Sequence, residues 1–179
     1  MKTQSITILI LFAFLASFAP APTWNVDAAK AKITFIIDGP FGKVNGSFGG
    51  LKAAIVFDEK NLSGSSITAS VDAKTIETGI ALRNKDLLTQ DEWFQPEKYP
   101  RISFRSTLFQ KTSTGYIVTG DLTLKESTKP VNISFTFTKI KGGGLLKGQL
   151  VINREDYGLG QSKTVGKEIS ILIEVPVKK

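Results

Sequence analysis

Residues 101–108 alternate without a break. Ile102, Phe104, Ser106 and Leu108 fall on one side of an extended chain, and Arg101, Ser103, Arg105 and Thr107 on the other. A period of two means strands with one apolar and one wet face. The same pattern recurs through Ile33, Phe35 and Ile37, through Ala53, Ile55 and Phe57, and through Ile67, Ala69, Val71 and Ala73. Candidate strands therefore run over 31–37, 44–48, 51–57, 66–74, 101–109, 116–125, 131–140, 146–153 and 168–177. Eight or nine strands in a chain of 179 residues predict an antiparallel sandwich or a closed barrel. Gly142-Gly143-Gly144 reads as a loop. Asn45-Gly46 reads either as a tight hairpin turn or as part of a strand with Gly46 at a bulge.

The alternation stops between Thr78 and Pro96, where Ile80, Leu82, Leu87 and Leu88 follow no period of two. Thr89-Gln90-Asp91-Glu92 reads as a capping box, with Thr89 accepting from first-turn amides and Glu92 reaching back. One or two short helices are expected here, carrying Trp93 and Phe94. They would line the mouth of a barrel or form a surface cap with no gating role.

Histidine and cysteine are both absent, which removes imidazole and thiol chemistry and most metal-binding side chains. Asp91 and Glu92 are adjacent, and neighbours on a helix start do not face each other across a cleft. No enzyme activity, cofactor or metal is expected. Formal charge is +7, but the lysines are scattered singly and no basic run is interleaved with aromatics. A solvated surface explains them better than nucleic acid does, while transient contact with a membrane is compatible with the same charge.

Met1 and Lys2 precede an apolar run from Ile6 to Phe18, and Ala19-Pro20-Ala21 resembles a small-x-small cleavage site. The run is shorter than the roughly 20 residues of a spanning helix. Residues 1–21 are expected to be a signal peptide, the alternative being an uncleaved anchor. Residues 22–179 then form one domain, large enough to bury a core without disulfides.

Five further segments carry a family resemblance. Trp24-Asn25-Val26-Asp27 looks like W-x-V-D, and Val44, Gly46 and Phe48 look like V-x-G-x-F. Tyr99-Pro100 with Ile102, Phe104 and Ser106 looks like Y-P-x-I-x-F-x-S. Gly120, Leu122 and Thr123, then Lys129-Pro130-Val131, look like G-x-L-T and T-K-P-V. Arg154, Asp156, Tyr157, Gly158 and Leu159 look like R-x-D-aromatic-G-aliphatic. Together, in order, they resemble the YceI-like family of polyisoprenoid-binding, lipocalin-like periplasmic proteins. One departure stands out. The family's Arg-Asp-x-His-Leu stretch reads Arg83-Asn84-Lys85-Asp86-Leu87 here, so Asp86 replaces the histidine.

The resemblance implies an all-β, eight-stranded antiparallel lipocalin-like barrel with a helical excursion near residues 79–95. It favours the strand reading of Asn45-Gly46. It also implies a periplasmic or secreted protein that carries or stores a long-chain amphiphile, such as an isoprenoid quinone, a polyprenyl phosphate or a fatty-acid derivative. A homodimer is compatible with it. The competing reading is a secreted interaction module with a filled core and no ligand.

The expected tunnel wall is Phe35, Phe48, Ile55, Phe57, Ile67, Ile102, Phe104, Leu122, Ile133, Phe135 and Phe137, with Ile171 and Ile173 from the last strand, where Leu172 leaves the inward face open. Trp93 and Phe94 are expected at the mouth, Trp93 offering an apolar body and one N–H donor. Arg83 is the expected headgroup contact, able to grip a phosphate or carboxylate with two N–H groups. A salt bridge to Asp86 or Asp91 is its alternative role. Arg154 and Asp156 are expected to be structural, with Gly158 supplying a left-handed or closely approached backbone.

Overall fold

A computed structural model describes residues 22–179; the proposed signal peptide, residues 1–21, lies outside the described residues. Ten strands form one antiparallel sheet: β1 (Thr23–Val26), β2 (Lys32–Gly39), β3 (Gly42–Phe48), β4 (Lys52–Val56), β5 (Ser66–Asp72), β6 (Arg101–Lys111), β7 (Tyr116–Leu124), β8 (Ser127–Ile140), β9 (Gly143–Asn153) and β10 (Glu168–Lys178). Among the described residues one α-helix, α1 (Ala81–Thr89), interrupts them.

Ten strands make an eight-membered ring because the first two are broken. The early part of β10 pairs with β2, through Ile169–Ile37 to Glu174–Lys32, and its end pairs with β1, through Val177–Val26. β1 and β2 are thus two lengths of one edge, separated by the turn in which Lys30 and Ala31 N–H groups donate to Asp27 O. β4 pairs with β1 and β3 with β2, with a break at Gly49-Gly50, where Gly50 takes φ +65°. The eight-stranded antiparallel barrel that the resemblance implied is therefore present, the closed barrel rather than the sandwich, and it closes where β1 meets both β4 and β10.

Three local expectations are corrected. The alternation of β6 does not run to its end. Its register with β7 shifts between Ser106 and Leu108, a bulge that turns Leu108 to solvent and Phe109 into the core. Gly143 and Gly144 are not loop but the start of β9. A side chain on Gly143 would strike the Val177 carbonyl, and one on Gly144 the Phe137 ring, so only glycine lets the strands close this tightly. Asn45-Gly46 lies within β3, the strand reading that the resemblance favoured, but no bulge forms there. Gly46 sits in regular register opposite Phe35, whose ring lies across it, and the turn is Gly39–Gly42. The short strand β1 did not stand out in the sequence.

The barrel is filled at one end and hollow at the other. Along β10, Val177 and Val175 are buried, while Ile173, Ile171 and Ile169 face the same way and are only half-buried. The filled end is an aromatic plug around Phe57, which is 1% exposed. Its ring centroid lies 5.1 Å from Tyr116 and 5.3 Å from both Phe135 and Phe137. Trp24 stands edge-on to Phe137 at 5.0 Å and donates its indole N–H to Phe57 O at 2.9 Å. Edge-to-face pairs of this kind add about 0.5–1.5 kcal/mol each beyond burial. At the other end β3 has no strand partner beyond β2, apart from a bridge between Ser47 and Glu77. Residues 73–100, including α1, cover that gap.

Candidate functional site: an apolar cavity and its rim

The hollow end holds a cavity of about 820 Å³, near the upper end of the roughly 300–1,000 Å³ typical of small-molecule sites. Fourteen of the sixteen residues expected at the site line it. Phe35, Phe48, Ile55 and Ile67 come from β2 to β5, Ile102, Phe104 and Leu122 from β6 and β7, Ile133 and Phe135 from β8, and Ile171 and Ile173 from β10. Leu172 faces solvent, which resolves the inward face of β10. Arg83, Trp93 and Phe94 complete the fourteen.

Phe57 and Phe137 do not line the cavity. They belong to the plug at the closed end, on the same inward faces but too far along their strands. Periodicity tells which face a residue takes but not how deep it sits, so it could not separate plug from wall. The filled-core alternative describes only this closed end. Cavity residues the sequence reading missed include Ile33, Ile169 and Leu150, each two positions from a named wall residue or opposite one, and so within reach of the same signal. Phe41, Ile80 and Leu82 at the rim were missed because no periodic pattern surrounds them.

The rim is built on both sides by polar anchors. On one side α1 starts without a side-chain cap at Ile80. Asn84 reaches back instead: its Oδ1 accepts from Thr78 N (2.9 Å) and Thr78 Oγ1 (2.6 Å), and its Nδ2 donates to Glu77 Oε1 (2.8 Å). Glu77 also accepts from Gly79 N at 2.6 Å. The Asn84 amide and the Gly79 N–H hold the Glu77 carboxyl below its ordinary pKa. The expected capping box does not form. Thr89 lies at the end of α1, where its hydroxyl donates to Lys85 O, and Glu92 accepts from Gln161 N at 3.0 Å.

Arg83 lies on this side. Its Nε donates to Thr78 Oγ1 (2.9 Å) and Nη2 to Thr78 O (3.0 Å). Among the described residues it forms no ion pair, so neither Asp86 nor Asp91 takes the role considered for them. Nη1 has no hydrogen-bond partner among the described residues. The guanidinium is thus oriented by Thr78 with one edge uncommitted, at the cavity wall.

The other side of the rim is held by Arg154, which is 1% exposed. It donates to five backbone carbonyls, those of Leu159, Gly160, Ser162, Val165 and Gly166. These carbonyls belong to one loop, which Arg154 gathers from inside. The structural role expected of Arg154 is thus to hold this loop through its carbonyls. Gly158 takes φ +63° to begin the loop. The loop docks on the α1 side: Gly160 N donates to Glu92 O at 2.7 Å, and the Trp93 ring lies so close over Gly160 that a Cβ would overlap it. Phe94 tucks beneath, 5.4 Å from Phe48.

This arrangement can enclose an apolar chain and meet one anionic group at the rim. Comparison with known proteins agrees on the fold. The model of the YceI-like domain matches residues 24–177. A UPF0312 protein of Yersinia enterocolitica is 34% identical over 134 residues, 73% of this chain and 68% of that protein. Protein YceI of Escherichia coli is 34% identical over 67% of this chain and 64% of its own length, and a UPF0312 protein of Photorhabdus laumondii 38% identical over 65% and 62%. The alignments thus leave about a third of these relatives unmatched. Among solved structures, Burkholderia cenocepacia BcnA superposes with a TM-score of 0.79 at 24% identity, covering 87% of this chain and all of that one. A polyisoprenoid binding domain from Saccharophagus degradans superposes at 0.66 and 13% identity, covering 88% and 98%. The family model spans the whole barrel from Trp24 to Val177, and on that match the chain belongs to the YceI-like family.

Proposed function

We propose that this barrel binds and carries a long-chain amphiphile, with the tail inside the hollow end and the head at the rim. The observation that carries the reading is the continuous apolar cavity, with Arg83 held at its wall by Thr78 and one guanidinium edge uncommitted. The Saccharophagus domain, described as polyisoprenoid binding, supports an isoprenoid as the ligand class. A quinone, a polyprenyl phosphate or a fatty-acid derivative all offer a tail for the cavity. Only the latter two offer the anionic head that a guanidinium grips bidentately.

A tail of about twenty carbons at about 0.3 kcal/mol per heavy atom binds with about 6 kcal/mol net. That retains an insoluble lipid and still permits release. The apolar run at 6–18 supports export to the periplasm or beyond, where such a carrier would work between membranes.

Native mass spectrometry of protein purified without detergent tests the reading. Wild type should carry a lipid-sized adduct that organic extraction removes. Protein that neither retains nor takes up any prenyl or fatty chain would overturn it.

A further inference from the structure

We infer that the cavity rim is a docking surface for the face of a bilayer bearing anionic lipid. The inference deepens the carrier reading and uses it only to explain why the contact exists.

Phe41 at the tip of the β2–β3 turn is fully exposed, Leu82 on α1 is 69% exposed and Ile80 52%. All three also line the cavity. The apolar surface is thus continuous from the barrel interior to the outermost edge of the protein. A water-facing lip of this kind costs solubility. The turn stands clear: a side chain added at Gly42 would meet no atom within 4 Å, and the same holds at Gly79 before α1. Two separate projecting tips suit penetration into a soft interface better than a flat match to a second copy.

Charge selects the kind of surface. Lys43, Arg83, Lys85 and Lys163 lie on or beside the rim with Asp38, Glu77, Asp86 and Glu92, of which Glu77 is engaged by Asn84 and Gly79 and Glu92 by Gln161, and the chain carries a formal net charge of +7. None of these four cations is in an ion pair among the described residues. Apolar side chains flanked by exposed cations are the combination that holds a protein at an anionic interface. The proposed contact is peripheral; no helix among the described residues is long and apolar enough to cross a bilayer. Docked this way, the cavity opens directly into the acyl region, so a tail moves between membrane and barrel without crossing water.

The chain has no cysteine, so single labels are clean. Phe41→Cys, Leu82→Cys and Ile140→Cys, each carrying an environment-sensitive fluorophore, would be mixed with vesicles of phosphatidylethanolamine and phosphatidylglycerol. Ile140 is also exposed but lies at the closed end, near where Pro22 leads into the barrel. The labels at 41 and 82 should brighten and shift blue, the label at 140 should not, and the response should weaken with salt. In a separate vesicle-pelleting assay, serine at both Phe41 and Leu82 should reduce binding by about tenfold or more while leaving the melting temperature unchanged. A response at 140 instead would place capture at the closed end and overturn the proposal. A response at 41 and 82 that rises with protein concentration before any vesicle is added would assign the lip to a second copy, with the same consequence. Lipid adducts read by mass on the same samples keep the two failures apart, because an empty barrel that still docks sinks only the carrier reading.

Discussion

Ile133 and Phe135 sit two residues apart on one face of β8, yet enlarging them should have opposite results. Ile133 is half-buried against the hollow, and Phe135 is buried and stacked on Tyr116 at 5.3 Å. Ile133→Trp should fill empty space, abolish ligand uptake and leave the melting temperature nearly unchanged. Phe135→Trp should overpack the plug at a cost of about 1–3 kcal/mol, or roughly 2–12 °C in a chain this size. Thermal melts beside an uptake assay check both, and equal destabilisation by the two would argue against a real hollow. Arg154 is the other residue whose loss should be severe. Arg154→Met keeps much of the volume but strands five buried or part-buried carbonyls. Unsatisfied groups cost about 1–3 kcal/mol each when they cannot rehydrate. Some will rehydrate as the loop opens, so a loss of at least about 3 kcal/mol is expected in denaturant melts. Arg154→Lys should rescue only part of it, because one ammonium cannot reach five carbonyls spread over a planar fork.

At the scale of elements, α1 is the weakest piece and its anchor is titratable. Nine residues without a capping side chain form a marginal helix, pinned through Asn84 and Glu77. The folded pKa of Glu77 lies below its unfolded value. Its stabilising effect is therefore present above the ordinary glutamate range and is lost as pH falls through the folded pKa. Protection factors of the α1 amides, taken relative to their intrinsic exchange rates at each pH, should fall on acidification below the ordinary value of 4.5, before those of the β-strand amides do. In Glu77→Gln that step should vanish, and its persistence would mean another group controls the helix. The same element shows where sequence reading reached its limit. Strands were legible because burial on one face imposes alternation, and the face of nearly every wall residue followed from it. The helix start was misplaced because Thr89 and Glu92 fit a capping pattern locally, while the network that ties Asn84 to Thr78 and Glu77 leaves no spacing signature. Thr107 slips the register of β6 by one, and alternation alone carries no mark of such a bulge. Gly143 and Gly144 read as loop, although it is strand crowding by Val177 and Phe137 that demands them.

For the molecule as a whole, the division into plug and hollow means that stability and function occupy different ends of the same strands. β10 spans both, with Val177 in the plug, Ile169 to Ile173 along the cavity, and Val175 buried at the cavity floor where the two meet. Closure of the ring by β1 also falls at the plug end, whereas β3 at the rim lacks a second strand partner. Regions with few buried contacts open at lower free energy than the core. Native-state hydrogen exchange should therefore divide single strands rather than separate whole ones: amides of residues 175–177 should exchange only by global unfolding, and those of 169–173 by a smaller opening. A bound tail fills the hollow and touches the folded state alone, so it stabilises by mass action. Loading the barrel with a prenyl or fatty chain should slow exchange at 169–173 and around β3, raise the melting temperature, and leave the fold of the plug as it was. Uniform protection along β10 in the emptied protein would mean that the hollow collapses when unoccupied, and that the ligand organises the barrel instead of entering one already formed.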